Sequence, residues 1–409
     1  MKFAILGCGY VADAYLATRS YHPQVEIVSC YDLDTDRMRR FGEAGRIRAY
    51  ESFEQLLADS ETEAVINLTN PREHFKTTEA CLLAGKHVYS EKPVGMDLVE
   101  VKSLQTVARA EGKRLCTAPC SALSPAALTL GNALNDGLIG KVRLVYAQFD
   151  DGYIAPLERP WTWENTLGCP WPAVDEFEVG CTYEHAGYFL SWLLSYFGSV
   201  RSMTSFASTQ IPEKGKKVET MAPDFTCGCL QFDNAVVARV TCGLVAPLDK
   251  SILIVGDTGT LSLQNLRDDY GDIVHSPYEA TIAHNRKRNA LRRLPATLRK
   301  IVPDAIIRHY ETVPCHVLPL VDHCHSIPRR AHSLIKRADF LRGPAELASA
   351  ITSGREPLLG EDFGAHMVEI IKQLQYPAQA EITLETAVPD TLASQFQITG
   401  KKLLSSSGK

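Results

Sequence analysis

The chain has no apolar run long enough to cross a bilayer, which excludes a helical membrane protein. It has no internal repeat, which excludes a solenoid or propeller. It has no excess of positive charge. Its 43 Lys and Arg against 48 Asp and Glu give a formal net charge of −5, so no general attraction to nucleic acid is expected. It has no recognisable secretory leader, because Met1-Lys2-Phe3 runs straight into an apolar strand, and a cytoplasmic protein is expected. Cysteine is not scarce, with 12 in the chain. Yet Cys8, Cys30 and Cys116 lie in apolar runs of a large chain, so reduced buried thiols are the better reading than a disulfide framework. What is present is 409 residues of ordinary soluble composition, enough for two domains with sizeable cores.

The most informative segments are two short strings. Gly7-Cys8-Gly9-Tyr10-Val11-Ala12 follows the apolar run Phe3-Ala4-Ile5-Leu6. This is G-x-G-x-x-A in a strand-turn-helix context. Gly7 permits the tight turn, Gly9 lets a pyrophosphate approach the backbone, and Ala12 lets the helix lie close to the strand. The second string, Glu91-Lys92-Pro93, closes the run His87-Val88-Tyr89-Ser90 and sets a lysine beside the dinucleotide. Val25 to Tyr31 reads as the second strand, with Asp32 at its end. A carboxylate there accepts hydrogen bonds from ribose hydroxyls and repels a 2′-phosphate, which favours NAD over NADP. Asp32 as the N-cap of the next helix is the alternative, and Arg37 nearby is within reach of a phosphate.

Alternation continues downstream. Ala64 to Thr69 is a strand, and a helix runs through Ala84 to Gly85. His87 to Glu91 is a strand, residues 97–111 a helix and Arg114 to Ala118 a strand. That order predicts a doubly wound parallel sheet, covered on both faces.

These residues make the chain resemble the Gfo/Idh/MocA oxidoreductases. The resemblance rests on the glycine motif, Thr69-Asn70-Pro71 with His74, and Ala84-Gly85-Lys86-His87-Val88 running into Glu91-Lys92-Pro93. Val255 to Leu261 and Asp339-Phe340-Leu341-Arg342-Gly343 match later landmarks. It implies an α/β chain: a Rossmann domain over 1–120 and a C-terminal α+β domain over 121–389, built on an open, largely antiparallel sheet. It also implies that Gly7, Cys8, Gly9, Tyr10, Val11, Asp32, Thr69, Asn70, His74, Glu91 and Lys92 surround the cofactor. Lys92 would then lie between nicotinamide and substrate. A homodimer or homotetramer through the C-terminal sheet is expected. Residues 390–409 are read as a frayed tail.

In the second half, a helix is expected from Ser124-Pro125 to Gly137, and strands at Val142 to Phe149, 204–210, 225–232, 235–244 and 251–263. Residues 151–180 read as an ordered loop carrying Trp161, Trp163 and Trp171, with acidic residues at 175, 176 and 178. It either meets a polyol or is pinned to its own domain by its tryptophans. A helix follows from Tyr183 to Phe197 and ends at Gly198. Glu184, Tyr188, Ser191 and Ser195 recur at intervals that make one polar stripe.

The family's pattern in this helix is D-x-G-x-H-x-x-D. Counting back from Gly198 puts Glu184 on the first aspartate and Tyr188 on the histidine, so the chain departs from the pattern. A register slipped by one residue brings in His185 instead. A tyrosine can shuttle a proton when an ammonium such as that of Lys92 lowers its pKa. The expected catalytic set is therefore Lys92, Glu184, Tyr188 and His185.

Two further clusters carry less. Cys315-His316 and His323-Cys324-His325 have metal-ligand chemistry without a recognised spacing, and no metal site is expected. Cys227-Gly228-Cys229 puts two thiols on one strand face, which reads as packing. The basic run Arg286, Lys287, Arg288, Arg292, Arg293, Arg299 and Lys300, with Arg329, Arg330, Lys336 and Arg337 beyond it, is a solvated surface or subunit contact. Its alternatives are a clamp for an anionic substrate or a membrane-surface contact. The expected activity is NAD(P)-dependent hydride transfer on a carbinol or carbonyl of a sugar, cyclitol or related small molecule. A redox-neutral NAD-dependent glycoside-cleaving enzyme and a non-catalytic dinucleotide-binding regulator are the alternatives.

Overall fold

The computed structural model describes residues 1–154, 160–293, 315–321 and 338–396. Its first sheet has six parallel strands in the order β3-β2-β1-β4-β5-β6. These are β1 (Lys2–Leu6), β2 (Glu26–Tyr31), β3 (Arg48–Ala49), β4 (Ala64–Asn67), β5 (His87–Ser90) and β6 (Leu115–Thr117). The order reverses beside β1, which opens the ligand crevice of a doubly wound sheet at the C-terminal strand ends. The helices are α1 (Ala12–Ala17), α2 (Thr35–Gly45), α3 (Phe53–Ala58), α4 (His74–Leu83) and α5 (Leu98–Ala110). Local chemistry sets their starts. Asp34 caps α2 by accepting from Arg37 N, and Asp97 caps α5 by accepting from Val99 N and Glu100 N. Asp32 is therefore not the cap of α2.

The second sheet has nine strands in the order β14-β13-β12-β11-β7-β10-β9-β8-β15. They are β7 (Val142–Asp150), β8 (Val200–Ser208), β9 (Phe225–Phe232), β10 (Val237–Gly243), β11 (Ile252–Gly256), β12 (Gly259–Leu263), β13 (Val274–Pro277), β14 (His316–Val317) and β15 (Ile382–Thr383). Only β7 and β10 pair in parallel, so the expected largely antiparallel sheet is present. The expected single strand over 251–263 is a hairpin, because Asp257-Thr258 turns the chain between β11 and β12. The strand expected at 204–210 begins earlier, at Val200. One face of this sheet packs on α6 (Pro125–Asn135) and α8 (Cys181–Phe197). The opposite face carries exposed Leu144, Phe206, Leu253 and Cys229.

Two late helices join the halves. α10 (Arg342–Thr352) follows Leu341, and Leu341, Ala345, Leu347 and Ala348 pack with Tyr15 and Phe41 in the first sheet's core. α11 (Glu361–Gln375) gives Ala365 and Val368 to that sheet's other face, and Met367, Ile370 and Ile371 to the second core. The chain after Pro389 is not frayed from its start, since Leu392 and Phe396 are buried in the second core. Residues 397–409 lie outside the described residues.

Candidate active site

The glycine loop leaves β1 as the motif requires. Gly7 has φ +92°, and a Cβ there would stand 2.7 Å from the Leu68 carbonyl oxygen. At Gly9 a Cβ would meet nothing within 4 Å, so the backbone is open to a close-lying group. This cradle fits a dinucleotide pyrophosphate. Asp32 braces the loop from behind: one oxygen accepts from Cys8 N at 2.7 Å and the other from Asp34 N at 2.8 Å. Arg37 lies 3.6 Å from Asp32 and 3.4 Å from Asp34.

An open cleft runs from this loop to α8. Gly9, Tyr10, Val11, Thr69, Asn70, His74, Glu91 and Lys92 all line it, as do Glu184, His185 and Tyr188. Gly7, Cys8 and Asp32 are buried and do not line it. Several of the lining side chains also hold the walls together. The Thr69 hydroxyl donates to Asn67, and Asn70 donates to Asp175 across the cleft at 3.0 Å. His74 is buried between the Pro93 carbonyl at 2.7 Å and the Thr69 carbonyl at 2.8 Å, tying the turn after β4 to the Lys92-Pro93 segment.

Lys92 follows β5, and its ammonium donates to the Glu184 carboxylate on α8. Glu91 accepts from Tyr15 Oη at 2.7 Å and from Lys92 N at 3.1 Å, which aims the lysine across the cleft. Burial opposes the Lys92 charge, but Glu184, Tyr188 and Glu91 outweigh it and hold its pKa above the usual lysine range.

The polar stripe of α8 divides in two. Glu184 and Tyr188 open on the cleft. Ser191 donates to the Tyr188 carbonyl at 3.1 Å and Ser195 to the Ser191 carbonyl at 2.6 Å, so that half serves the helix itself. The Tyr188 ring has two flat neighbours. Phe149 stacks on one side at 4.9 Å between centroids, and the Arg267 guanidinium lies 5.1 Å from the ring centroid. Burial pushes the Tyr188 pKa up, while Arg267 and Lys92 pull it back.

His185 also touches the cleft, and its Nε2 stands 3.3 Å from Glu176 and 3.4 Å from Asp151. Asp151 is paired in turn with Lys250. Burial pulls the His185 pKa down to about 3, so the ring is neutral at ordinary pH. Burial, with Glu184 as a neighbour, pushes the Glu176 carboxyl up.

The loop expected over 151–180 contains α7 (Ala173–Val179) and crosses the glycine loop. Asn165 Nδ2 donates to the Gly9 and Tyr10 carbonyls at 3.3 and 3.0 Å. Thr166 donates twice to Asp13, from its amide at 3.0 Å and its hydroxyl at 2.8 Å. Both readings of its tryptophans have a case: Trp171 lines the cleft, and Trp161 is tied to the Lys214 carbonyl.

The basic run does not reach the cleft among the described residues. α9 (Tyr278–Arg292) is helical, and Arg286, Lys287 and Arg293 are exposed. Arg299, Lys300, Arg329, Arg330, Lys336 and Arg337 lie outside the described residues, as do His323, Cys324 and His325. Among the described residues no cluster is suited to a metal ion. Arg267, Tyr15 and Lys250 were not singled out from the sequence. They sit in no motif, and only the fold brings them to the site.

Comparison with known proteins follows the same division. Residues 1–118 match the Gfo/Idh/MocA model described as an oxidoreductase family with an NAD-binding Rossmann fold. Residues 127–262 match the GFO/IDH/MocA C-terminal domain. A trans-1,2-dihydrobenzene-1,2-diol dehydrogenase of Macaca fuscata fuscata is 28% identical over 273 residues, 65% of this chain and 75% of that protein. Among solved structures, a levoglucosan dehydrogenase in complex with NADH and levoglucosan shares the fold, with a TM-score of 0.71 at 14% identity over 94% of this chain and 100% of the other. A dehydrogenase from Bordetella pertussis, in complex with NADH and UDP-GlcNAcA, superposes with a TM-score of 0.67 at 16% identity over 94% and 97% of the two chains.

Proposed function

Because this chain belongs to the Gfo/Idh/MocA oxidoreductase family, we propose that it is an NAD(P)-dependent dehydrogenase or reductase acting on a CH–OH group of a sugar, cyclitol or diol. The observation that carries the reading is the Lys92–Glu184 contact beside Tyr188, at the end of a cleft that begins at the glycine loop. The bound nicotinamide supplies the hydride acceptor or donor. The chain's own residues do the rest. Lys92, held in place by Glu184, donates to the substrate oxygen and stabilises alkoxide character as the C–H bond weakens. The Tyr188 hydroxyl makes no hydrogen bond to the described protein and opens on the cleft, so it is placed to carry the proton. Glu176 and Asp175 offer acceptors to neighbouring hydroxyls. The named substrates of the relatives, a diol and an anhydrosugar, support the carbinol class.

NAD is the preferred nucleotide, on the carboxylate of Asp32 at the end of β2. The exposed apolar residues of the second sheet support assembly through that face. The free cysteines support a cytoplasmic location. The loop across the glycine motif favours one second reading, a redox-neutral reaction in which the nucleotide is oxidised and reduced in place. A panel of sugars, cyclitols and diols incubated with NAD separates the two. Net NADH formation is the expected outcome, with NAD bound more tightly than NADP. Substrate conversion without NADH supports the second reading. Failure to bind either nucleotide refutes both.

A further inference from the structure

Arg267 stands in the turn after β12, lines the cleft and lies over the Tyr188 ring. The other two cations of the cleft already have carboxylate partners: Lys92 has Glu184, and Arg37 has Asp32 and Asp34. Arg267 has none within ion-pair distance among the described residues, and its guanidinium donates no hydrogen bond there. A half-buried guanidinium with its donors unspent is left to be completed by water or by a ligand. Stacking on a ring uses the face of the guanidinium and leaves its in-plane N–H groups free. Those groups match a carboxylate by two parallel hydrogen bonds.

We infer that Arg267 is the residue that recognises a carboxylate on the substrate, so that the cleft takes a hydroxy acid of sugar size, such as an aldonic or uronic acid. A monoanion is favoured over a phosphate dianion, because Glu91, Asp175, Glu176 and Glu184 share the cleft with only three cations. With the carboxylate on Arg267, the neighbouring carbinol lies over Tyr188 and towards Lys92, the pair to which proton transfer and alkoxide stabilisation are assigned. The exposed basic run on α9 is not needed for this recognition.

The inference rests on the oxidoreductase reading of the cleft, and the test separates the two. Calorimetric titration of the NADH-loaded protein compares matched probes: D-glucuronate with D-glucose, D-galacturonate with D-galactose, and D-gluconate with sorbitol. At least one acid binds about tenfold or more tightly than its neutral partner, as a charge-assisted contact requires. Arg267→Met collapses that ratio towards one. Arg267→Lys restores only part of it, since an ammonium lacks the fork. If Arg267→Met does not fold, Arg267→Gln takes its place in the same comparison. No preference for any acid, or a preference that survives Arg267→Met, overturns the inference. So does a variant in which acid and neutral partner weaken alike while the pH profile moves, because Arg267 then serves Tyr188. NADH binding without acid preference refutes this inference alone, whereas absence of NADH binding refutes both.

Discussion

Tyr188 falls on the histidine of the expected helix pattern when counted back from Gly198, and we propose it as the proton carrier on the strength of its surroundings. Its ring stacks on Phe149 and has the Arg267 guanidinium over it. Burial raises its pKa, while Arg267 and Lys92 oppose the rise. In the oxidising direction the deprotonated phenol is the base, so the rate rises with pH as the proton leaves. Tyr188→Phe is expected to lower turnover by about a hundredfold or more and to remove that alkaline rise, with little change in melting temperature. Steady-state pH profiles of the two proteins check it, and an unchanged profile removes Tyr188 from the mechanism. Lys92 was legible because it ends a motif. Glu184 and Tyr188 were legible because a spacing of four puts them on one helix face. His185, one position on, also reaches the cleft, where its Nε2 lies near Glu176 and Asp151. Arg267 was not legible, since no periodicity or motif in a turn says which distant ring it will cover.

Among the elements, α8 behaves as its pattern predicts, from the Glu184-Tyr188 face to the stop at Gly198. The segment over 160–172 carried signals of order, its tryptophans and prolines, but none of destination. It crosses the glycine loop and bonds to Gly9, Tyr10 and Asp13. A dinucleotide in the cradle would lie next to this strap, and we predict that the strap loosens for exchange. Each such hydrogen bond contributes about 0.5–1.5 kcal/mol, and more where a carboxylate accepts. The double variant Asn165→Ala, Thr166→Ala should release NADH at least about tenfold faster, read by stopped-flow displacement. Equal release rates would show that the strap does not govern exchange. The hairpin β11–β12 was misread for a simple reason. Both strands have the same alternation, and Gly256-Asp257-Thr258-Gly259 is a turn only if the chain reverses there.

At the scale of the molecule, the fold class followed from the strand-helix alternation and the resemblance, but the way the halves are joined did not. α10 returns to the first core and α11 is shared by both, although each reads only as an amphipathic helix. An apolar stripe says that a helix is covered, not by which domain. The joint matters for function because the site exists only across it. Lys92 comes from the first sheet, Glu184 and Tyr188 from the helix on the second, and the strap spans the two. The central claim is that this cross-domain contact is chemical and not merely adhesive. Lys92→Met keeps the aliphatic stem and removes the charge, so it separates those roles. The decisive measurement is reduction of bound NAD in a single turnover, followed by the absorbance of the reduced nicotinamide, with a substrate that the wild-type protein oxidises. The account predicts that Lys92→Met binds NAD as the wild type does and reduces it at least about a hundredfold more slowly. Reduction at the wild-type rate in that variant would contradict it.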